Sequence, residues 1–97
     1  MAENLLADIR VHRLDILQAA DRFGVRNLRV FGSVARGEDK QNSDIDFVAN
    51  FDAKTFDSYM GFKLYLEDLL HRRVDLVMET AIKPRLRDKI LGSAINV

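Results

Sequence analysis

The chain has 97 residues, 47% hydrophobic and 31% charged, with 15 Lys and Arg balancing 15 Asp and Glu; this suits one folded domain over residues 1–97 and is too short for two independent cores. Zero net charge argues against a bulk nucleic-acid ligand, because phosphate neutralisation dominates such binding. The lack of cysteine excludes disulfides, thiolate zinc sites and a thiol nucleophile.

Residues 3–23 read as a first helix, with Leu5, Leu6, Ile9, Ile16, Leu17, Ala20 and Phe23 on one face. His12 and Arg13 interrupt that face, so a break near residue 12 is expected. Gly24 is placed to end the helix. The opening MAENLLADIR has early acids and no apolar core of a secretory leader. No apolar run approaches the roughly 20 residues that span a bilayer, so no membrane association is expected and the expected compartment is the cytoplasm.

Residues 27–33 (NLRVFGS) predict a first strand, and the polar stretch 34–43 predicts a turn with room for one helical turn. Residues 44–51 (DIDFVANF) predict a second strand. Asp57 or Ser58 is the expected cap of a helix running to Leu70, with Tyr59, Phe62, Tyr65, Leu66, Leu69 and Leu70 on one stripe. Residues 73–78 (RVDLVM) predict a third strand. Pro84 suits the first turn of a last helix over 84–92, and residues 94–97 predict a short edge strand. The order is α-β-β-α-β-α. A helix between the second and third strands favours a parallel pair with a right-handed crossover. The fold class is therefore α/β, a small mixed sheet flanked by helices that pack mainly on one face.

Alternation within the second strand puts Asp44 and Asp46 on one face and Ile45 and Phe47 on the other. Two such carboxylates repel unless a cation lies between them. Hard divalent ions bind through one or two carboxylates plus substrate phosphates and waters. Two solvated acids at a strand start would look the same. Asp75, between apolar Val74 and Leu76, falls near the level of Asp46 if the strands are parallel. An acid in such a strand, if buried, needs a partner, either a metal or one of Arg72 and Arg73. Three converging carboxylates suit two metal ions roughly 3.5–4 Å apart.

Gly32-Ser33 closes the first strand ten residues before Asp44. To bring it beside that acid, the first strand must run antiparallel to the second. Glycine lets backbone N–H groups approach a phosphate, and the serine hydroxyl can donate to a phosphate oxygen. Gly32 to Gly37 also reads as GxxxxG, but Glu38-Asp39 follows where a P-loop needs Lys and Ser or Thr, so that class is excluded. Arg36 either meets a phosphate or pairs with Glu38 or Asp39. Lys40 offers a similar, weaker choice.

GSVARGE, the ten-residue spacing, SDIDFVAN and RVDLVME together resemble the minimal nucleotidyltransferase domain of the polymerase-β-like superfamily. The likeness runs from about residue 12 to 97. It implies the nucleotidyltransferase fold, Gly32 and Ser33 at the triphosphate of ATP, and Asp44, Asp46 and Asp75 as catalytic ligands of Mg²⁺. Small domains of this kind are similar to the antitoxins of pairs whose toxin is a helical HEPN ribonuclease. That implies AMP transfer to a toxin tyrosine with pyrophosphate release, the acceptor coming from another chain. A non-catalytic antitoxin that acts by occlusion is the alternative.

Three further features stand outside the motif. Lys83, Arg85, Arg87 and Lys89 make a basic segment that reads either as a solvated helix face or as a binding face. Tyr59 and Tyr65 read as core. Met60 and Leu64 lie off the apolar stripe and are expected at the surface.

Overall fold

The structure, a computed structural model, describes residues 5–38, 44–53 and 55–97. The expected break divides the first helix into α1 (Leu5–Val11) and α2 (Arg13–Arg22), with His12 between them. Any start at residue 3 lies outside the described residues. Gly24, at φ +70°, ends the helical run in a conformation that favours glycine. Strand β1 then starts at once, Val25–Phe31, because Val25 is already buried. It begins and ends two residues before its expected bounds. Asn27, at φ 53°, marks an irregularity in its pairing.

Helix α3 is the single helical turn Gly32–Ala35, pinned by fully buried Val34. Strand β2 is Ile45–Phe51, and helix α4 is Phe56–Leu70. Strand β3 is Val74–Met78, followed by a 3-10 turn, Glu79–Ala81, that the sequence reading did not anticipate. Helix α5, Pro84–Ser93, has proline at its first position as expected, and β4 is Ile95–Asn96.

Neither Asp57 nor Ser58 caps α4. Thr55 does, its hydroxyl accepting from the Ser58 backbone N–H at 3.1 Å. The helix starts at Phe56, a residue 76% exposed. An apolar residue in a polar first turn carries no amphipathic signal, so the pattern alone places the start too late.

The strand order is β3-β2-β1-β4. β1 pairs antiparallel with β2 and with β4, and β2 pairs parallel with β3. The mixed sheet is the one expected. On one face Val30, Ile45, Phe47, Ala49, Phe51 and Leu76 meet Ile9, Ile16, Phe62 and Leu66 of α1, α2 and α4. Tyr59 and Tyr65 are half-buried against this core. Leu64 is exposed as expected, whereas Met60 is only partly so.

The outer edge of β3 is closed by α4. Arg73 C=O accepts from Ile45 N–H at 2.9 Å, so the backbone groups of Val74 and Leu76 face outward. Glu67 accepts from Val74 N–H at 2.9 Å, and the Tyr59 hydroxyl donates to Leu76 C=O at 2.6 Å. A sheet edge that invites pairing with other chains is thereby partly satisfied within the chain.

The cap makes a direct test of this description. Thr55→Ala should cost about 1 kcal/mol of stability in urea unfolding, while Ser58→Ala, which keeps the bonded N–H, should change it little. Equal effects of the two would contradict Thr55 as the cap.

Candidate functional site

The face of the sheet opposite the core is the one that carries charge. Ile45 and Phe47 are fully buried on the core side, so Asp46 points to the other side. The parallel register pairs Asp46 with Asp75, and the antiparallel register pairs Asp46 with Phe31. Asp44 precedes β2 and is exposed. Asp75 is also exposed, so its setting between Val74 and Leu76 reflects strand alternation rather than burial. The reading of Asp75 as a buried acid in need of a partner is corrected on that ground. Its placement level with Asp46 is as expected.

Asp46 is half-buried. Burial pushes its carboxyl above the ordinary carboxylate range, and the charges of Asp75 and Asp44 push the same way. Arg36 pulls it down. Among the described residues no three acidic or histidine side chains enclose a metal ion by themselves. An open set of acids, with a half-buried carboxyl at its centre, fits Mg²⁺, which keeps waters and shares its shell with substrate phosphates. It does not fit a closed structural metal site.

Gly32 lies directly against this carboxylate. It opens α3 at φ +74°. A Cβ built on it would collide with Asp46 Oδ2 and come within 3.2 Å of Asp46 Cγ. Glycine is needed here twice, for the backbone conformation and for the approach to Asp46. Ser33 follows in the same turn and is half-buried. The first N–H groups of such a turn have no acceptor within it, and N–H groups of this kind suit an anion. The expected end of strand β1 is thus a helical turn, since the positive φ at Gly32 breaks the extended chain one residue before Ser33.

Arg36 donates from Nε to Glu38 Oε2 at 3.1 Å, both side chains being largely exposed. The structure thus shows the Glu38 alternative, while the Asp46 carboxyl still feels the Arg36 charge. Asp39 and Lys40 lie outside the described residues. In the basic segment Lys83, Arg85, Arg87 and Lys89 are all exposed, and Arg87 pairs with Glu79 at 3.7 Å.

Glu79 belongs to a polar group that sequence reasoning missed. Its Oε1 accepts from Arg29 Nη2 at 3.1 Å and its Oε2 accepts from Asn50 Nδ2 at 2.5 Å. Arg29 and Asn50 share the face of Asp46. The one available signal was alternation, since both are polar positions between buried neighbours. The 3-10 turn that carries Glu79 has no sequence signature of comparable strength.

The raised carboxyl of Asp46 predicts a stability effect with a defined sign. A carboxyl whose folded pKa exceeds its unfolded value of about 3.9 penalises the folded state above that value. In metal-free buffer Asp46→Asn should therefore be more stable than wild type at pH 7. The difference should shrink as pH falls and vanish near and below about pH 3.9. Urea midpoints in EDTA across this range measure it, and a variant no more stable at pH 7 would contradict the assignment.

With this geometry in hand, comparison with known proteins is consistent. Residues 14–97 match the nucleotidyltransferase domain family. The protein adenylyltransferase MntA of Thermococcus cleftensis is 40% identical over 78 residues, which cover 79% of each chain. A candidate protein adenylyltransferase of Methanocaldococcus jannaschii is 43% identical over 80 residues, covering 79% of this chain and 81% of its own. A solved structure of a candidate minimal nucleotidyltransferase superposes with a TM-score of 0.86 at 41% identity, covering 98% of this chain and 97% of the other. A toxin–antitoxin crystal structure with AMP-PNP shares the fold, with a TM-score of 0.72 at 20% identity over 86% of this chain and 69% of that one. The mixed sheet, with Gly32 against Asp46 and Asp46 level with Asp75, is thus the fold of the nucleotidyltransferase domain family, and the chain belongs to that family as an enzyme of its class.

Proposed function

We propose that the chain transfers AMP from ATP to a hydroxyl of a partner protein, a tyrosine of a HEPN-type ribonuclease toxin, and so serves as its antitoxin in the cytoplasm. The observation that carries this reading is the juxtaposition of Gly32, Asp46 and Asp75 on one open face of the sheet. Relatives named as protein adenylyltransferases support the transfer of AMP. Fold neighbours solved as toxin–antitoxin complexes, one of them with AMP-PNP and another an MntA-HpeT mutant, support the kind of partner and of nucleotide.

In this reading the backbone of Gly32 and the hydroxyl of Ser33 bind triphosphate oxygens. Arg36, in a surface pair with Glu38, adds a guanidinium to the phosphates. Asp44, Asp46 and Asp75 would hold Mg²⁺, two ions by preference, which when bound neutralises the phosphates and acidifies the acceptor hydroxyl. The acceptor oxygen forms a bond to the α-phosphorus, and the bond from that phosphorus to the oxygen bridging the β-phosphate breaks. Pyrophosphate leaves. The hydroxyl proton passes to the carboxylate of Asp75, which is open to solvent and can release it. Positioning and charge stabilisation supply most of the acceleration in such transfers.

The test is intact-mass analysis of a HEPN-type partner co-expressed with wild type or with variants. Wild type should add one or more AMP masses to the partner. Asp44→Asn and Asp46→Asn should each lower transfer by about 10²-fold or more. An unmodified partner neutralised equally by wild type and variants would replace this reading with occlusion. Labelling of a small molecule or an RNA end in place of the partner would keep the chemistry and discard the antitoxin role.

Gly32→Ala should abolish transfer and also lower stability by about 1 kcal/mol or more, since it strains φ and displaces Asp46. Urea unfolding together with the same mass assay checks both effects.

A further inference from the structure

From the geometry of the polar group on the acid-bearing face, we infer that Glu79 is a positioning residue for the nucleotide site, holding α5, and through it α3, in place. The inference rests on the nucleotide-transfer reading above.

Glu79 is well covered, its side chain 14% exposed, and it joins three elements. It accepts from Arg29 of β1 and from Asn50 of β2, and it pairs at 3.7 Å with Arg87 of α5. Arg29 is largely covered as well, with a buried Nε–H that finds no acceptor among the described residues. Fully buried Val30 faces the helices, so Arg29 lies on the opposite face with Asp46. Asp46 pairs with Phe31, one same-face step of roughly 7 Å along β1 from Arg29.

Helix α5 lies at the surface, with Ile90 and Leu91 half-buried. None of its residues is buried. It packs against α3 and β1, and the Arg87–Glu79 pair is its charged tie to the sheet. Helix α3 in turn carries Gly32 and Ser33. A carboxylate flanked by two guanidiniums is well compensated. Removing its charge leaves Arg29, mostly covered, without its counter-ion, and frees Arg87 together with α5. The consequence falls on the α5-facing side of α3, whose other side is anchored by Val34 against the core and by Gly32 against Asp46.

Three variants test this in the full chain: Glu79→Gln, Arg87→Ala, which alters only a half-exposed side chain, and Glu79→Asp, which retains the charge. Glu79→Gln and Arg87→Ala should raise KM for ATP on the order of fivefold while kcat toward the partner stays within about twofold. Hydrogen exchange should speed up in residues 32–35 as well as in 84–93, and stay unchanged in α4. Glu79→Asp should recover part of both effects. Faster exchange confined to α5, with unchanged KM, would show a purely structural tie and overturn the inference. So would wild-type behaviour of Arg87→Ala in both measurements. If wild type itself transfers no AMP, the reading under Proposed function falls, and the exchange at residues 32–35 still decides whether Glu79 positions that turn.

Discussion

The parallel pairing of β2 with β3 is the constraint on which the rest depends. Its register sets Asp46 beside Asp75, on a face where alternation leaves both pointing away from α1, α2 and α4. Like charges side by side are costly, and burial raises that cost at Asp46. Among the described residues, Arg36 offsets part of this charge while its guanidinium is engaged with Glu38. Such an arrangement is costly for the unliganded protein, and it suits the metal-complexed triphosphate of the proposed function.

The remainder of the architecture can be read as support for that pairing. Helix α4 makes the crossover between the two strands, buries Phe62 and Leu66 beneath them, and satisfies the free edge of β3 through Glu67 and Tyr59. Val34 anchors α3 in the core, so the glycine that follows β1 is delivered to Asp46 by a fixed turn rather than by a free loop. The larger apolar core therefore lies on one face of the sheet, while the acids lie on the other, beside buried Val48 and the Arg29–Glu79 pair.

Much of this was legible in the sequence because it rests on local periodicities. The period of two in DIDF fixes which residues face the core, and a helix between two strands favours their parallel pairing; together these put Asp75 near the level of Asp46. The break at His12, the stop at Gly24 and the start at Pro84 also follow from local chemistry. What escaped depends on contacts between distant residues. The Thr55 cap was hidden by exposed Phe56. One helical turn is expected within residues 34–43; its start already at Gly32 follows from a positive φ that the residue type permits and does not demand. Arg29, Asn50 and Glu79 lie on three elements, and only the folded sheet brings them together. Asp75 shows the opposite case, where apolar neighbours suggested burial and the pleat turned the side chain outward.

On the proposed function, these acids destabilise the unliganded protein and a bound metal–nucleotide complex offsets them. Thermal unfolding of wild type and Asp46→Asn, each in EDTA and in saturating MgATP, measures it most directly. A reversal of order at pH 7 is expected: Asp46→Asn melts higher in EDTA, and wild type melts higher in MgATP because ligand that binds only the folded state stabilises it. The same order in both buffers, or a MgATP shift as large in Asp46→Asn as in wild type, would contradict it.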